Sequence, residues 1–172
     1  MSYRPICDIW LLARGAGSSG KPAYYGAYPS GFLRRAKDLL LSNQNDILVH
    51  LCSGTVVDPQ GITIDINPEV NPDIIADATK TPFHNNQFNA VLIDPPYTEQ
   101  DAEKYGEDLP STTDLLKEAL RIVKPGGKVG LLHFIVPRIP KGYEKRYITL
   151  IGVITGGAQR IRVFTVLKKE NV

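Results

Sequence analysis

The chain has 172 residues, 42% of them hydrophobic, with 20 Lys and Arg against 18 Asp and Glu and a formal net charge of +2. That length and apolar fraction fit a single domain, residues 1–172, with its own core, and exclude disordered and repeat architectures. Two cysteines, Cys7 and Cys52, exclude a secreted disulfide scaffold, no run reaches membrane-spanning length, and Asp8 and Arg14 interrupt the N-terminal apolar stretch a signal peptide would need, so the expected setting is cytoplasmic and reducing with no membrane partner. The small net charge hides a change of sign: residues 41–123 carry four Lys or Arg against fourteen Asp or Glu, and residues 124–172 carry ten against two. The basic end, with Arg138, Lys141, Lys145, Arg146, Arg160 and Arg162, reads either as a phosphate-binding surface or as a solvated face without a partner.

Residues 9–13 read as a short strand or buried segment. The next stretch, with Gly15, Gly17, Gly20 and Lys21, imitates two phosphate-binding motifs and fits neither. As a Walker A loop it has Pro22 where the magnesium-binding hydroxyl is required. As a dinucleotide fingerprint it lacks a helix opening at the last glycine, and the residues near position 40 are helical where a second strand should end in an acid. A loop is expected. Tyr24, Tyr25 and Tyr28 form an aromatic cluster ahead of Pro29, and Phe32, Leu33, Ala36, Leu39 and Leu40 repeat at helical spacing, which predicts a helix over 30–42 with Ser30 as its N-cap.

The run 47–51 reads as a buried strand in which His50 is packed and hydrogen-bonded, ending in Cys52, Ser53, Gly54 and Thr55, a tight turn with backbone donors. Only residues 52–61 separate it from the next strand at 62–66, whereas a parallel crossover normally needs about a dozen residues or more. Asp58-Pro59-Gln60-Gly61 is itself a turn signal, so the first crossover helix is expected to be missing or a single turn. Asp65 ends the second strand, and residues 74–78 form a short third one with Asp77 near its end.

Residues 90–97 organise the rest. An apolar run of buried-strand length ends at Asp94, and Pro95 and Pro96 forbid both helix and further pairing because they lack N–H groups and fix φ. Asp94 therefore sits at the carboxyl end of a strand, the edge where open α/β sheets bind ligands. An exocyclic amino group on a heteroaromatic ring is a poor nucleophile, because its lone pair is delocalised. The Asp94 carboxylate and the Pro95 carbonyl offer two acceptors for its hydrogens, and Tyr97 offers a flat neighbour for the ring. The plainer reading is a turn that closes a core strand. Asp94, Pro95, Pro96 and Tyr97 resemble the (Asp/Asn/Ser)-Pro-Pro-(Tyr/Phe) motif of S-adenosylmethionine-dependent amino-methyltransferases, which modify adenine N6, cytosine N4, guanine N2 or, in one branch, protein glutamine.

Thr98 to Pro110 reads as a polar, acidic, mobile loop beside the site. Ser111 or Thr113 then caps a helix with Leu115, Leu116, Ala119, Leu120 and Val123 on one face, ended by Lys124-Pro125-Gly126-Gly127 and followed by a strand at 128–134. Residues 119–130 resemble the segment after the fourth strand of many class I methyltransferases. Two β-rich runs, 147–154 and 160–167, are joined by a turn and read as a hairpin.

The resemblance covers about residues 24–167, with 1–23 as an N-terminal strand and loop segment. It implies an α/β Rossmann-like class I methyltransferase fold: a mostly parallel seven-strand sheet with an antiparallel last strand. It also implies S-adenosyl-L-methionine as cofactor, held by Leu51, Cys52, Ser53, Gly54 and Thr55 at the glycine loop, by Asp65 and Ile66 at the ribose and by Asp77 and Ala78 at the adenine, with Tyr28 and Pro29 near the methionine end. His50 stands where the family has an acid and Val56 where glycine is common, so the loop departs from the pattern. The implied activity is amino-group methylation of a nucleobase in DNA or RNA, with Asp94, Pro95, Pro96 and Tyr97 as the catalytic tip and no metal. The nucleic acid is expected to contact the basic C-terminal region, with a homodimer or partner subunit supplying recognition surface. A small-molecule or protein-amide acceptor, and a non-catalytic cofactor-binding subunit, are the alternatives.

Overall fold

The computed structural model describes residues 4–13, 27–103, 108–156 and 161–171. The two most continuous apolar runs become the centre of one sheet, β2 (Leu48–Leu51) beside β5 (Phe88–Ile93), with every residue but Asn89 buried. Strands covered on both faces carry continuous apolar sequence rather than alternation. The sheet continues on one side through β3 (Gly61–Asp65) and β4 (Ile74–Ile75), and on the other through β6 (Val123–His133), β8 (Ile161–Lys168), β7 (Thr149–Thr155) and β1 (Ile6–Leu12). Only β8 runs antiparallel to its neighbours, β6 and β7, and the other strand pairs are all parallel.

The sheet has 8 strands where seven were expected. The additional one is β1, which lies in register along β7 from Ile6 opposite Thr149 to Leu12 opposite Thr155. Its neighbour in sequence, the glycine-rich stretch from Arg14 to Lys21, lies outside the described residues, as do Tyr24 and Tyr25.

Two helices cover the two faces. On one, α1 (Phe32–Leu40) buries Phe32, Ala36 and Leu40 against Leu48, Ala90, Leu92 and Phe164. On the other, α3 (Thr112–Ile122) buries Leu115, Leu116, Ala119 and Ile122 against Val49, Val91, Ile93 and Val129. Alternate residues of the central strands thus serve opposite layers. The Ser111 side chain accepts the Asp114 N–H at 3.4 Å and caps α3 as expected. Ser30 does not cap α1: the helix starts at Gly31, whose φ of 80° turns the chain without any side-chain cap, while the Ser30 N–H donates to the Ala13 carbonyl at 3.1 Å. The chain passes from α3 into β6 at Val123, so the strand begins before Lys124-Pro125-Gly126-Gly127 rather than after it.

No helix lies between β2 and β3, only turns over residues 52–60, as the short connection requires. A buried polar cluster stands in its place. Lys37 of α1 pairs with Asp58 Oδ1 at 2.6 Å, His50 Nε2 lies 3.0 Å from Asp58 Oδ2, and the Tyr28 hydroxyl lies 3.3 Å from His50 Nδ1. Burial alone would raise the Asp58 carboxyl, but hydrogen bonds from His50, Lys37 and the Gln60 amide outweigh it and hold the group well below the usual carboxylate range. Among the described residues no helix is long and apolar enough to cross a membrane.

Candidate functional site

β2, β3, β4 and β5 run in the same direction, so the residues that follow them leave the sheet along one edge. A cavity of about 650 Å³ opens there. Cys52 and Gly54 line it from the end of β2, Asp65 and Ile66 from β3, Asp77 and Ala78 from beyond β4, and Asp94, Pro95, Pro96 and Tyr97 from β5. Ten of the fifteen residues singled out in the sequence therefore meet in one space. Tyr28, Pro29, Leu51, Ser53 and Thr55 are not among the lining residues. Leu51 and Ser53 are buried below the edge, and Tyr28 packs its ring on Phe32 at 5.1 Å with its hydroxyl on His50, leaving Ala27 as the lining residue of that segment.

The turn after β2 is built without a glycine at its first position. Cys52 takes the left-handed conformation with φ 55°, at a cost of about 1–2 kcal/mol for a residue with a Cβ, and Gly54 follows with φ 52°. The Gly54 N–H donates to Asp65 Oδ2 at 2.7 Å, and Asp65 Oδ1 accepts the Asn67 N–H at 3.0 Å. One carboxylate thus fixes the ends of β2 and β3 together. Val56, where glycine is common in the family, packs against the α1 layer. Asp77 shapes the next turn, with Oδ1 accepting from the Thr79 N–H and hydroxyl, both at 2.7 Å. Burial pushes the Cys52 thiol up, and the charges of Asp65, Asp94 and Asp77 add to the shift, so the thiol stays protonated.

Asp94 is anchored by its N–H to the Leu51 carbonyl at 3.3 Å, and its Oδ1 accepts the Tyr97 hydroxyl. Oδ2 has no hydrogen-bond donor among the described residues. Burial raises the Asp94 carboxyl to about 6, against the opposing pull of the Tyr97 hydroxyl and the Arg162 charge. The Tyr97 ring is wedged by Phe134, with centroids 4.5 Å apart, and by the edge of His133 at 5.3 Å.

Two further parts of the wall come from segments in which the sequence named no cofactor-binding or catalytic residue, the first being the 98–110 segment expected beside the site. The segment after Tyr97 begins as a short helix, α2 (Glu99–Glu103), where a loop was expected, and Asp101 lines the cavity together with Asp108, Leu109, Pro110, Ser111 and Asp114; residues 104–107 lie outside the described chain. The other part is Arg162, at the start of β8. Its Nη2 donates to Thr155 Oγ1 at 2.6 Å and its Nη1 to the Tyr97 hydroxyl at 3.4 Å. The signal for it was the hairpin itself: an antiparallel return strand begins at the edge where the parallel strands end, so a residue at its start shares that edge.

The basic run does not form one surface around the site. Arg162 is the sole Lys or Arg among the described lining residues, facing Asp65, Asp77, Asp94, Asp101, Asp108 and Asp114. At the opposite edge of the sheet Lys168 lies across from Lys128, and Lys169 Nζ is bound to the Leu120 and Val123 carbonyls at 2.6 and 2.9 Å. Arg160 lies outside the described residues. Of the basic C-terminal region expected to contact nucleic acid, Arg162 lines the cavity, while Lys168 and Lys169 lie away from it.

No protein-family model matches the sequence, and no curated protein matches it. Among solved structures, the chain resembles TrmN from Thermus thermophilus with a TM-score of 0.61 and 19% identity over 86% of this chain and 51% of that one. It resembles a candidate methyltransferase from Streptococcus mutans in complex with SAH at TM-score 0.54 and 10% identity, covering 80% of this chain and 97% of that one. The fold is that of a class I methyltransferase. An rRNA methylase from Streptococcus thermophilus shares it at TM-score 0.51 and 9% identity, over 80% of this chain and 96% of that one. The chain spans about half the length of the T. thermophilus TrmN chain. Within this methyltransferase fold the cavity occupies the carboxyl edge of the parallel strands, the general ligand position of open α/β sheets.

Proposed function

We propose that the protein is an S-adenosylmethionine-dependent N-methyltransferase acting on an exocyclic amino group of a nucleobase in DNA or RNA. The observation that carries this reading is the meeting of the Cys52–Gly54 turn, Asp65 and Asp94 in one cavity. The residues present fit the cofactor. A volume of about 650 Å³ is within the usual range for small-molecule sites, Asp65 at the end of β3 offers acceptors for ribose hydroxyls, and the excess of carboxylates suits a ligand with a sulfonium and an ammonium group. S-adenosylmethionine supplies an already activated methyl carbon when bound. The chain's own part is orientation and polarisation. Asp94 Oδ2 and the Pro95 carbonyl accept the two amino hydrogens, Pro95 and Pro96 hold those acceptors without adding a donor, and Tyr97 provides the flat wall.

Calorimetric titration with S-adenosylmethionine is the direct test. Micromolar affinity, about −8 kcal/mol, is expected, followed by label transfer from methyl-labelled cofactor to DNA, RNA or nucleotides. A folded sample without binding overturns the reading.

A second reading follows from the charge distribution. Among the described residues six aspartates line the cavity against one arginine, which disfavours a polyanion at the mouth and favours a small molecule or a protein amide as acceptor. A nucleic acid would then be held by the basic opposite edge of a second copy or by a partner subunit. The full Asp-Pro-Pro-Tyr tip speaks against a non-catalytic subunit, because a scaffold has no use for an amino-polarising group.

A further inference from the structure

Arg162 has no ion-pair partner among the described residues, although it lines a cavity rich in carboxylates. It is held instead by neutral hydroxyls: Nη2 donates to Thr155 Oγ1 at 2.6 Å, across the β7–β8 hairpin, and Nη1 reaches the Tyr97 hydroxyl at 3.4 Å. That hydroxyl in turn donates to Asp94 Oδ1. A guanidinium is planar and permanently charged and has a fixed fork of donors. Braced by Thr155, it fixes where the Tyr97 hydroxyl sits, and through it the carboxylate that receives the acceptor. We propose that Arg162 is a positioning residue of the amino site, holding Tyr97 against Asp94 from the start of β8 at the same sheet edge and supplying the positive charge that favours the Asp94 carboxylate. The proposal rests on the amino-transfer reading above.

The surroundings leave that task to Arg162. The groups facing Asp94 from the packed elements are Tyr28 ahead of α1, Cys52 after β2, Tyr97 itself, Asp65 and Asp77 across the cavity, Asp101 on α2 and His133 behind Tyr97. Tyr28, Tyr97 and Cys52 are held protonated by burial. His133 is shifted by burial toward its neutral form, and its Nδ1 accepts the Ile135 N–H at 3.1 Å. The aspartates carry charge of the same sign and offer Asp94 no counter-charge. Arg162 is therefore the cation that favours its charged state.

A brace for the hairpin alone would give the same hydrogen bond to Thr155, so the test must read Asp94. Side-chain carboxyl titration by NMR on the ¹³C-aspartate-labelled chain, assigned with D94N, is made for wild type, R162K, R162M and T155V. R162M is expected to raise the Asp94 midpoint by about one pH unit, roughly tenfold in proton affinity. R162K, which keeps the charge, is expected to stay close to wild type. T155V, which loosens the brace and keeps the charge, is expected to shift it by less than R162M. An R162M curve that overlays the wild-type curve overturns the proposal, as does an equal shift in R162K and R162M. Should R162M not fold, R162Q removes the charge with a polar side chain and serves the same comparison. Calorimetry with S-adenosylmethionine on the same samples separates the two failures. Absence of cofactor binding in wild type removes the amino-transfer reading and this role with it, whereas binding with an unmoved Asp94 midpoint removes the role of Arg162 alone.

Discussion

Tyr97 donates its hydroxyl to Asp94 Oδ1, so the first and last residues of the Asp-Pro-Pro-Tyr turn close on each other and leave Oδ2 as the free acceptor. The bond lowers the Asp94 carboxyl against the burial that raises it to about 6. Y97F keeps the ring and removes the bond, so Asp94 should ionise at higher pH. The acid limb of the rate profile is expected to move up, with about a tenfold loss of transfer near pH 6.5 that largely recovers by about pH 8.5, for one hydrogen bond to a charged group. A uniform loss at every pH would show that the hydroxyl matters only for packing.

Asp94 itself separates chemistry from binding. Its carboxylate lines the cavity, as do Cys52, Gly54, Asp65 and Asp77, the residues proposed to hold the cofactor. D94A should lower methyl transfer by about 10³-fold, the scale of removing a principal transition-state interaction, and leave S-adenosylmethionine affinity within a few-fold. Parallel loss of both in calorimetry and transfer assays would assign Asp94 a structural role.

How much of this was legible in the sequence depends on how local each feature is. The central strands, the missing crossover helix and the placing of Asp65, Asp77 and Asp94 at one edge follow from short apolar runs and connection lengths, which act within about ten residues. The hairpin was legible for the same reason. Ser30 misled because a hydroxyl before an apolar run is the usual cap signal, while the left-handed Gly31 does that work here. β1 was ambiguous because Asp8 and the exposed Ile9 and Leu11 break the buried pattern, and its pairing partner lies over a hundred residues on. Arg162 was hidden in its basic run, since charge counted along a chain ignores which end of a strand each residue occupies.

The cluster that stands in for the crossover helix sets a stability prediction. Asp58 is almost wholly buried as a side chain and holds both Lys37 and His50. Its carboxyl is held well below its ordinary value, so the stability it contributes is fully present above its unfolded pKa, about 4, and is lost as pH falls toward its folded value. D58A strands His50 and Lys37 and should cost about 3 kcal/mol at pH 7, as for one partner removed from a buried pair. Urea unfolding should show the gap between wild type and D58A narrowing below about pH 4. A gap independent of pH would indicate that packing, and not the charge, carries the effect.

The separation of charges along the sheet decides between the two acceptor classes. Aspartates gather at the cavity, while Lys124, Lys141 and Lys145 are exposed beyond it, and Lys128 and Lys168 lie across from each other at the edge opposite the site. If that basic surface holds a nucleic-acid backbone, exchanging Lys124, Lys141 and Lys145 for Glu should weaken binding of a single-stranded oligonucleotide. It should also reduce the salt slope by about 0.7 for each phosphate that is no longer neutralised, with S-adenosylmethionine affinity unchanged because the cavity proposed to hold it lies at the other edge. Methyl transfer to the oligonucleotide should fall in proportion to binding, since a base must be delivered to Asp94 by whatever holds its strand. The same triple variant should leave transfer to a free nucleotide or an amide peptide untouched. An acceptor turned over equally well by both proteins therefore reaches the cavity without the basic edge, and the phosphate-free reading takes precedence.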